Sequence, residues 1–170
     1  MLSIELFNQI LGVATIFAQI AIVVIVLALL NKKPLFSKQA MLLAFLVSLA
    51  GVAGSLYYSE FIGYEPCKLC WYQRVFLYPQ TILLAIGLIK KHPHVANYCI
   101  LFSGLGGLLA LYQSLLTVGL APSIPCSASG VSCSQIFVMQ FGYITIPVMA
   151  LTAFLLIIVL LLSARSGKSD

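Results

Sequence analysis

Apolar residues occupy this chain in long unbroken blocks, not in the alternation of a half-buried strand or the single stripe of a soluble helix. Five blocks stand out: Ile10 to Leu30, Ala40 to Tyr58, Trp71 to Ile89, Tyr98 to Leu116 and Tyr143 to Leu162. Each approaches the roughly 20 residues that an α-helix needs to cross a bilayer. The pattern predicts an all-α fold, a polytopic membrane helical bundle. Gly51, Gly54, Gly104, Gly106 and Gly107 lie inside the blocks, where small residues let helices approach closely in lipid. Pro79 and Pro147 also fall within blocks and predict local kinks.

The segments between blocks are short, and the longest, Thr117 to Gly142, contains Pro122, Pro125, Gly130 and several serines. It reads as an ordered but adaptable loop. Composition agrees: 62% of residues are hydrophobic and 8% charged, whereas roughly a quarter are charged in soluble domains. Little chain remains for a soluble domain.

The net charge of +5 does not read as a nucleic-acid footprint, because the basic residues cluster between blocks. Lys32, Lys33 and Lys38 follow the first, Lys90 and Lys91 the third, and Arg165 and Lys168 the fifth. If five helices alternate, these seven share one side, which the positive-inside rule makes cytoplasmic. The opposite side receives the N-terminus, Glu60, Glu65 and four cysteines, and is expected to be an oxidising compartment. Met1 to Gln9 has no basic residue and the segment lacks a clear small-x-small cleavage site, so the first block reads as a retained helix with its N-terminus outside, not a signal peptide.

Four cysteines form two pairs on that outer side. Cys67 and Cys70 stand where a membrane helix begins, with Arg74 one turn further on. A helix N-terminus and a nearby guanidinium both favour a thiolate, the attacking species in disulfide exchange. A bond between Cys126 and Cys133 would close a small ring of six intervening residues, worth only about 2.5 kcal/mol by loop entropy. Such a ring does little for a bundle held by lipid and suits attack by an external thiol.

Two other readings of these pairs stand beside that one. Both could be structural disulfides. A zinc site is disfavoured because the spacing is unusual and His92 and His94 belong to the opposite side. Arg74 reads either as a snorkelling interface residue or as a donor to negative charge developing beside Cys70, with Gln73 assisting. Trp71, Tyr72, Tyr57, Tyr58 and Tyr64 fit an interfacial aromatic belt, and Trp71 could instead wall a ring-shaped ligand. Cys99, alone in the fourth block, reads as a packing residue.

The string Gly54-Ser55-Leu56-Tyr57-Tyr58-Ser59-Glu60, then Cys67-Lys68-Leu69-Cys70-Trp71-Tyr72-Gln73-Arg74, closely resembles the DsbB/BdbC family of membrane disulfide oxidoreductases, especially its BdbC branch. Pro125-Cys126, Val131-Ser132-Cys133-Ser134 and Phe141-Gly142-Tyr143-Ile144-Thr145-Ile146-Pro147 resemble that branch as well. The likeness spans about residues 40 to 163. It implies a DsbB-like four-helix redox domain over 40–163, an extra N-terminal transmembrane helix over 1–33 and a cytoplasmic tail over 164–170.

The resemblance further implies that the protein reoxidises a DsbA-like thioredoxin-fold partner and passes the electrons to a quinone, menaquinone or ubiquinone. Disulfide bonds in exported proteins would result. Carried over by position, the partner attacks Cys126, Cys133 exchanges with Cys67/Cys70, and Cys70 delivers the electrons to a quinone near Arg74, Gln73 and Trp71. Some members carry a histidine in the helix where this chain has Tyr112 and Gln113.

Overall fold

The structure is a computed structural model that describes residues 4–32, 39–90, 94–122 and 132–166. Its five helices are α1 (Ile4–Leu30), α2 (Ala40–Leu56), α3 (Lys68–Lys90), α4 (Val95–Thr117) and α5 (Ile146–Ser166). A π-helical turn, Tyr57–Phe61, extends α2. The two short strands β1 (Met139–Gln140) and β2 (Ile144–Thr145) pair as an antiparallel hairpin just before α5.

By length and composition α1, α2 with its π turn, α4 and α5 can each cross a membrane. Helix α3 has 23 residues, so length is not its difference from the others. Gln73, Arg74, Gln80 and Thr81 dilute its apolarity, and three of them, Gln73, Gln80 and Thr81, are buried. It packs between α2 and α4, which turns those polar groups toward protein. In lipid an unpartnered polar side chain is costly, and Ser103 Oγ on α4 accordingly donates to Gln80 Oε1 at 2.9 Å.

Helix α5 is the hub, with α1, α2 and α4 packed around it. Toward the end bearing Lys90 and Arg165, a core of Ala40, Ala44, Leu84, Cys99, Ile157 and Leu161 joins four helices. Cys99 is fully buried there. Nearer the middle, Gly106 of α4 admits the Phe154 ring of α5 so closely that a Cβ would lie 2.5 Å from it. Close approach at small residues is what holds helices together when the solvent is itself apolar.

Two departures of the element boundaries from the apolar blocks have a visible cause. Helix α1 begins six residues before Ile10, because its polar first turns find partners on the π turn: Tyr58 Oη donates to Asn8 Oδ1 at 2.8 Å, and the rings of Phe7 and Tyr57 lie 4.1 Å apart. Helix α5 begins after Tyr143 to Thr145, which belong to the hairpin. Phe141 (φ 53°) and Gly142 (φ 80°) form its turn, and two consecutive positive φ values match the twist of tightly paired strands. Pro147 consequently falls in the first turn of α5, where a missing N–H costs no helical bond, so it starts the helix instead of bending it.

Candidate active site

The cysteine pair is built by the way α3 starts. Trp71 N–H donates to Cys67 O at 3.1 Å, the first helical bond, which makes Cys67 the N-cap residue. An N-cap side chain accepts from the N–H two or three residues later. Here that acceptor is sulfur: Cys70 N–H points at Cys67 Sγ at 3.5 Å. The same turn brings the two sulfurs to 3.1 Å, and both cysteines are free thiols.

Gln113 of α4 completes the pair. Its Nε2 donates to Cys67 Sγ at 3.3 Å and to Cys70 Sγ at 3.4 Å, while its Oε1 accepts from Gln73 Nε2 at 2.6 Å. Gln113 Oε1 also lies 3.9 Å from Cys70 Sγ, which donates to it. Both glutamines are buried. Gln73 thus acts through Gln113 in this arrangement, a link between α3 and α4 that spacing alone does not reveal.

Both cysteines precede the apolar stretch of α3 that begins at Trp71, and their thiols are driven apart. The hydrogen bond from Cys67 lowers the Cys70 thiol below the ordinary range; burial opposes this, and Gln113 adds to the lowering, with Arg74 the smallest contributor. The Cys67 thiol is raised, first by that same hydrogen bond, then by burial and by charge on Cys70. A single negative charge on the pair therefore belongs to Cys70.

Arg74 is engaged elsewhere than on sulfur. Its Nε donates to Ser55 Oγ at 2.8 Å and its Nη2 to Ser55 O at 3.0 Å, tying α3 to the last turn of α2. The guanidinium also lies 5.3 Å from the centre of the Trp71 ring. Trp71 itself is 56% exposed.

Two spaces open from the pair in different directions. A crevice of about 30 Å³ is shared by Cys67, Cys70 and Gln113 with Ser132, Phe137 and Pro147. A larger cavity of about 330 Å³ lies between α1, α2, α3 and α5, and Cys70, Gln73 and Arg74 form its polar corner. Most of its remaining wall is apolar, including Leu77, Met149 and Phe154, and Trp71 stands outside it. Cys70 borders both spaces, Cys67 only the crevice.

Cys133 is disulfide-bonded and 4% exposed, in one buried cluster with Cys67 and Leu116. The spacing predicts a pair displayed on an adaptable loop; the structure instead buries this member against Cys67. Leu116, Tyr112 and Ala121 supply the apolar contacts that draw it inward. Cys126 lies outside the described residues. Tyr112, the other polar side chain noted in that part of the sequence, donates to Pro122 O at 2.9 Å and anchors the loop after α4.

The family model for disulfide bond formation protein DsbB matches residues 37–164. The chain is 40% identical over 122 residues to the SPbeta prophage-derived disulfide bond formation protein B of Bacillus subtilis (strain 168), covering 72% of this chain and 82% of that protein. It is 36% identical over 129 residues to disulfide bond formation protein C of the same strain, covering 75% and 93%. A probable disulfide formation protein of Metapseudomonas resinovorans is 39% identical over 127 residues, covering 74% and 88%. No solved structure matches significantly. A free cysteine pair at the start of a membrane-bundle helix, a disulfide-bonded cysteine packed beside it and this match over most of the chain lead to one assignment: the chain belongs to the DsbB family of membrane disulfide oxidoreductases.

Proposed function

We propose that the protein carries electrons from a DsbA-like thioredoxin-fold protein, through Cys126/Cys133 and then Cys67/Cys70, to a membrane quinone. The observation that carries this reading is the unequal placement of one close pair: Cys67 borders only the crevice next to the 132–138 segment, whereas Cys70 also borders the apolar cavity. Each sulfur has its own counterpart.

The Cys133 disulfide is assigned to Cys126, since Cys67, Cys70 and Cys99 are free. A partner thiolate attacks Cys126 Sγ; that S–S bond breaks, a mixed disulfide forms, and Cys133 leaves as a thiolate. With Cys67/Cys70 oxidised, Cys133 attacks Cys67 Sγ, releasing Cys70 as a thiolate. The second partner thiol then attacks the mixed disulfide at the partner's own sulfur and frees Cys126. Cys126 returns to Cys133, displacing Cys67, so the loop disulfide is restored with both electrons on Cys67/Cys70. Free Cys67 and Cys70 beside a bonded Cys133 support this reading.

The cavity residues fit a quinone: a thiol of lowered pKa, Gln73 and a guanidinium sit in one corner of a largely apolar space, whose volume is within the range of small-molecule sites. Quinone, when bound, accepts two electrons and two protons as Cys67 and Cys70 close to a disulfide. Gln113 holds the pair for that closure. Arg74, fixed by Ser55, would offer a positive charge to a quinone held in the corner it shares with Cys70.

The distribution of Lys and Arg supports a multi-pass orientation with the cysteine end and the N-terminus outside and the C-terminus cytoplasmic. The family match over residues 37–164 supports residues 40–163 as the redox domain, 1–33 as an added helix and 164–170 as a tail. The test is oxidation of a reduced thioredoxin-fold protein by the purified chain in nanodiscs. Turnover is expected only with quinone present, to vanish in Cys67→Ser and Cys70→Ser, and to stall as a mixed disulfide with Cys126 when the partner lacks its second cysteine. Undiminished turnover in Cys70→Ser would refute the route.

A further inference from the structure

The family match begins at residue 37, after α1, yet α1 contributes a wall to the cavity that borders Cys70. Leu11, Ala14, Thr15 and Ala18 line it, spaced at one face of a helix. Without them the space between α2 and α5 would be open along that side. We propose that α1 is a wall of the quinone site, and that the gap between α1 and α2 is the lateral portal through which the quinone enters from the lipid. This rests on the quinone reading of the cavity and deepens it.

Three observations point to that portal. Helices α1 and α2 each pack against α5 and not closely against one another, so the fold leaves a seam between them. Of the lining residues within spans, the exposed ones are Ala14 on α1 and Ala50 on α2, one on each lip. The seam is apolar and faces the region where lipid chains lie, whereas the remaining exposed lining residue, Glu65, belongs to the loop before α3. A hydrophobic ligand with a polar ring matches this gradient: tail toward the alanine lips, ring toward Cys70 and Arg74. A peptide or hydrophilic thiol does not match it.

The position of α1 is fixed at both ends of the wall. Asn8 bonds the π turn through Tyr58, and Gln19 Oε1 accepts from Tyr143 Oη at 2.8 Å. Gly12 receives the hairpin so closely that a Cβ would stand 3.1 Å from the Phe141 ring. The four lining residues lie between these clamps, so side-chain volume there translates into cavity volume. Small side chains at Ala14 and Ala18 leave the room; large ones would fill it.

The test uses the chain's single tryptophan, Trp71, as a binding reporter that does not depend on turnover. Decylubiquinone is titrated into the full-length protein in phosphatidylglycerol nanodiscs, and the saturable quenching of Trp71 emission gives Kd. Ala14→Phe is expected to weaken binding at least tenfold, and Ala18→Leu to weaken it several-fold. Val13→Phe, one residue away on the exposed side of α1, is expected to bind as wild type. Mixed-disulfide formation with the partner should be unchanged in all three, which also certifies their folding.

Wild-type Kd in Ala14→Phe, or equal loss in Val13→Phe, would overturn the portal. If the wild type itself shows no saturable quenching because nanodisc lipid occupies the cavity, the quinone reading fails together with the portal. Saturable binding in the wild type with an unaffected Ala14→Phe sinks the portal alone.

Discussion

Replacing Gln113 with leucine removes the only described side chain outside the pair that donates to the sulfurs, and its effect can be sized in advance. Gln113 Nε2 stands 3.4 Å from Cys70 Sγ, and a hydrogen bond to a charged group is worth about 1.5–3 kcal/mol. The donor is shared with Cys67 and the distance is long, so the lower end applies. At about 1.4 kcal/mol per unit, the Cys70 thiol should rise by about one pH unit. The sign comes from the cause: Gln113 helps hold this thiol down, so its loss moves the thiol back toward the ordinary range.

The assay is the pH profile of iodoacetamide alkylation at Cys70 in the fully reduced protein. The Gln113→Leu profile should shift about one unit to higher pH, with alkylation about tenfold slower well below both midpoints and equal well above them. Gln113→Leu also strips the acceptor from buried Gln73 Nε2, at a cost of about 1–3 kcal/mol of stability. The double variant Gln73→Leu/Gln113→Leu removes both partners, so it should recover most of that stability and keep the shifted profile. An unshifted profile in both variants would refute the assignment of Gln113 as a group that helps hold the Cys70 thiol down.

The same geometry sets the outcome of four other substitutions. Gly106→Ala forces a Cβ to within 2.5 Å of the Phe154 ring and should cost about 1–3 kcal/mol in thermal unfolding, whereas Gly104→Ala, with nothing within 4 Å, should be tolerated. Tyr58→Phe breaks the buried bond to Asn8 and should loosen α1 by about 0.6 kcal/mol, read as faster hydrogen exchange in its first turns. Arg74→Lys keeps the charge but loses the two-pronged grip on Ser55 and the stacking on Trp71. The KM for quinone should rise about tenfold, equivalent to about 1.4 kcal/mol, while partner oxidation in a single turnover is unchanged; a wild-type KM would mean that charge alone suffices.

Block lengths marked all five helices because backbone hydrogen bonding in lipid leaves a spanning segment no other form. What they missed was local and polar. The start of α1 was invisible since Asn8 and Gln9 interrupt apolarity, and only the distant Tyr58 makes Asn8 at home in the fold. The hairpin before α5 resembled the front of a helix because Tyr143, Ile144 and Thr145 carry no charge and run straight into the helix they precede; the turn signal was Gly142 alone. Gln113 could have been singled out by cost: a glutamine inside an apolar span demands a partner, and Gln73, Gln80 and Gln113 together announced a polar seam between the third and fourth helices. Arg74 was legible as a residue of the site region, but its bonds to Ser55 depend on the angle at which α2 meets α3, which no spacing encodes.

The asymmetry between the two thiols originates where α3 begins. An N-cap residue has left the helical conformation, so its side chain turns back along the incoming chain and over the exposed N–H groups. Cys67 therefore sits against the segment carrying Cys133, and the N–H of Cys70 is directed at its sulfur. Three residues later the chain is helical, and Cys70 lies on the inward face with Gln73 and Arg74 around the cavity corner. A two-residue spacer thus does two things that a longer one could not: it keeps the sulfurs within reach of each other, and it aims them at different spaces. Glu65, the residue before Pro66, is held out of the helical region, so the helix cannot extend back beyond Pro66. The direction of electron flow proposed for this protein is then a property of a helix start, and Gln113 is the fixed point from across the bundle that keeps that start in register.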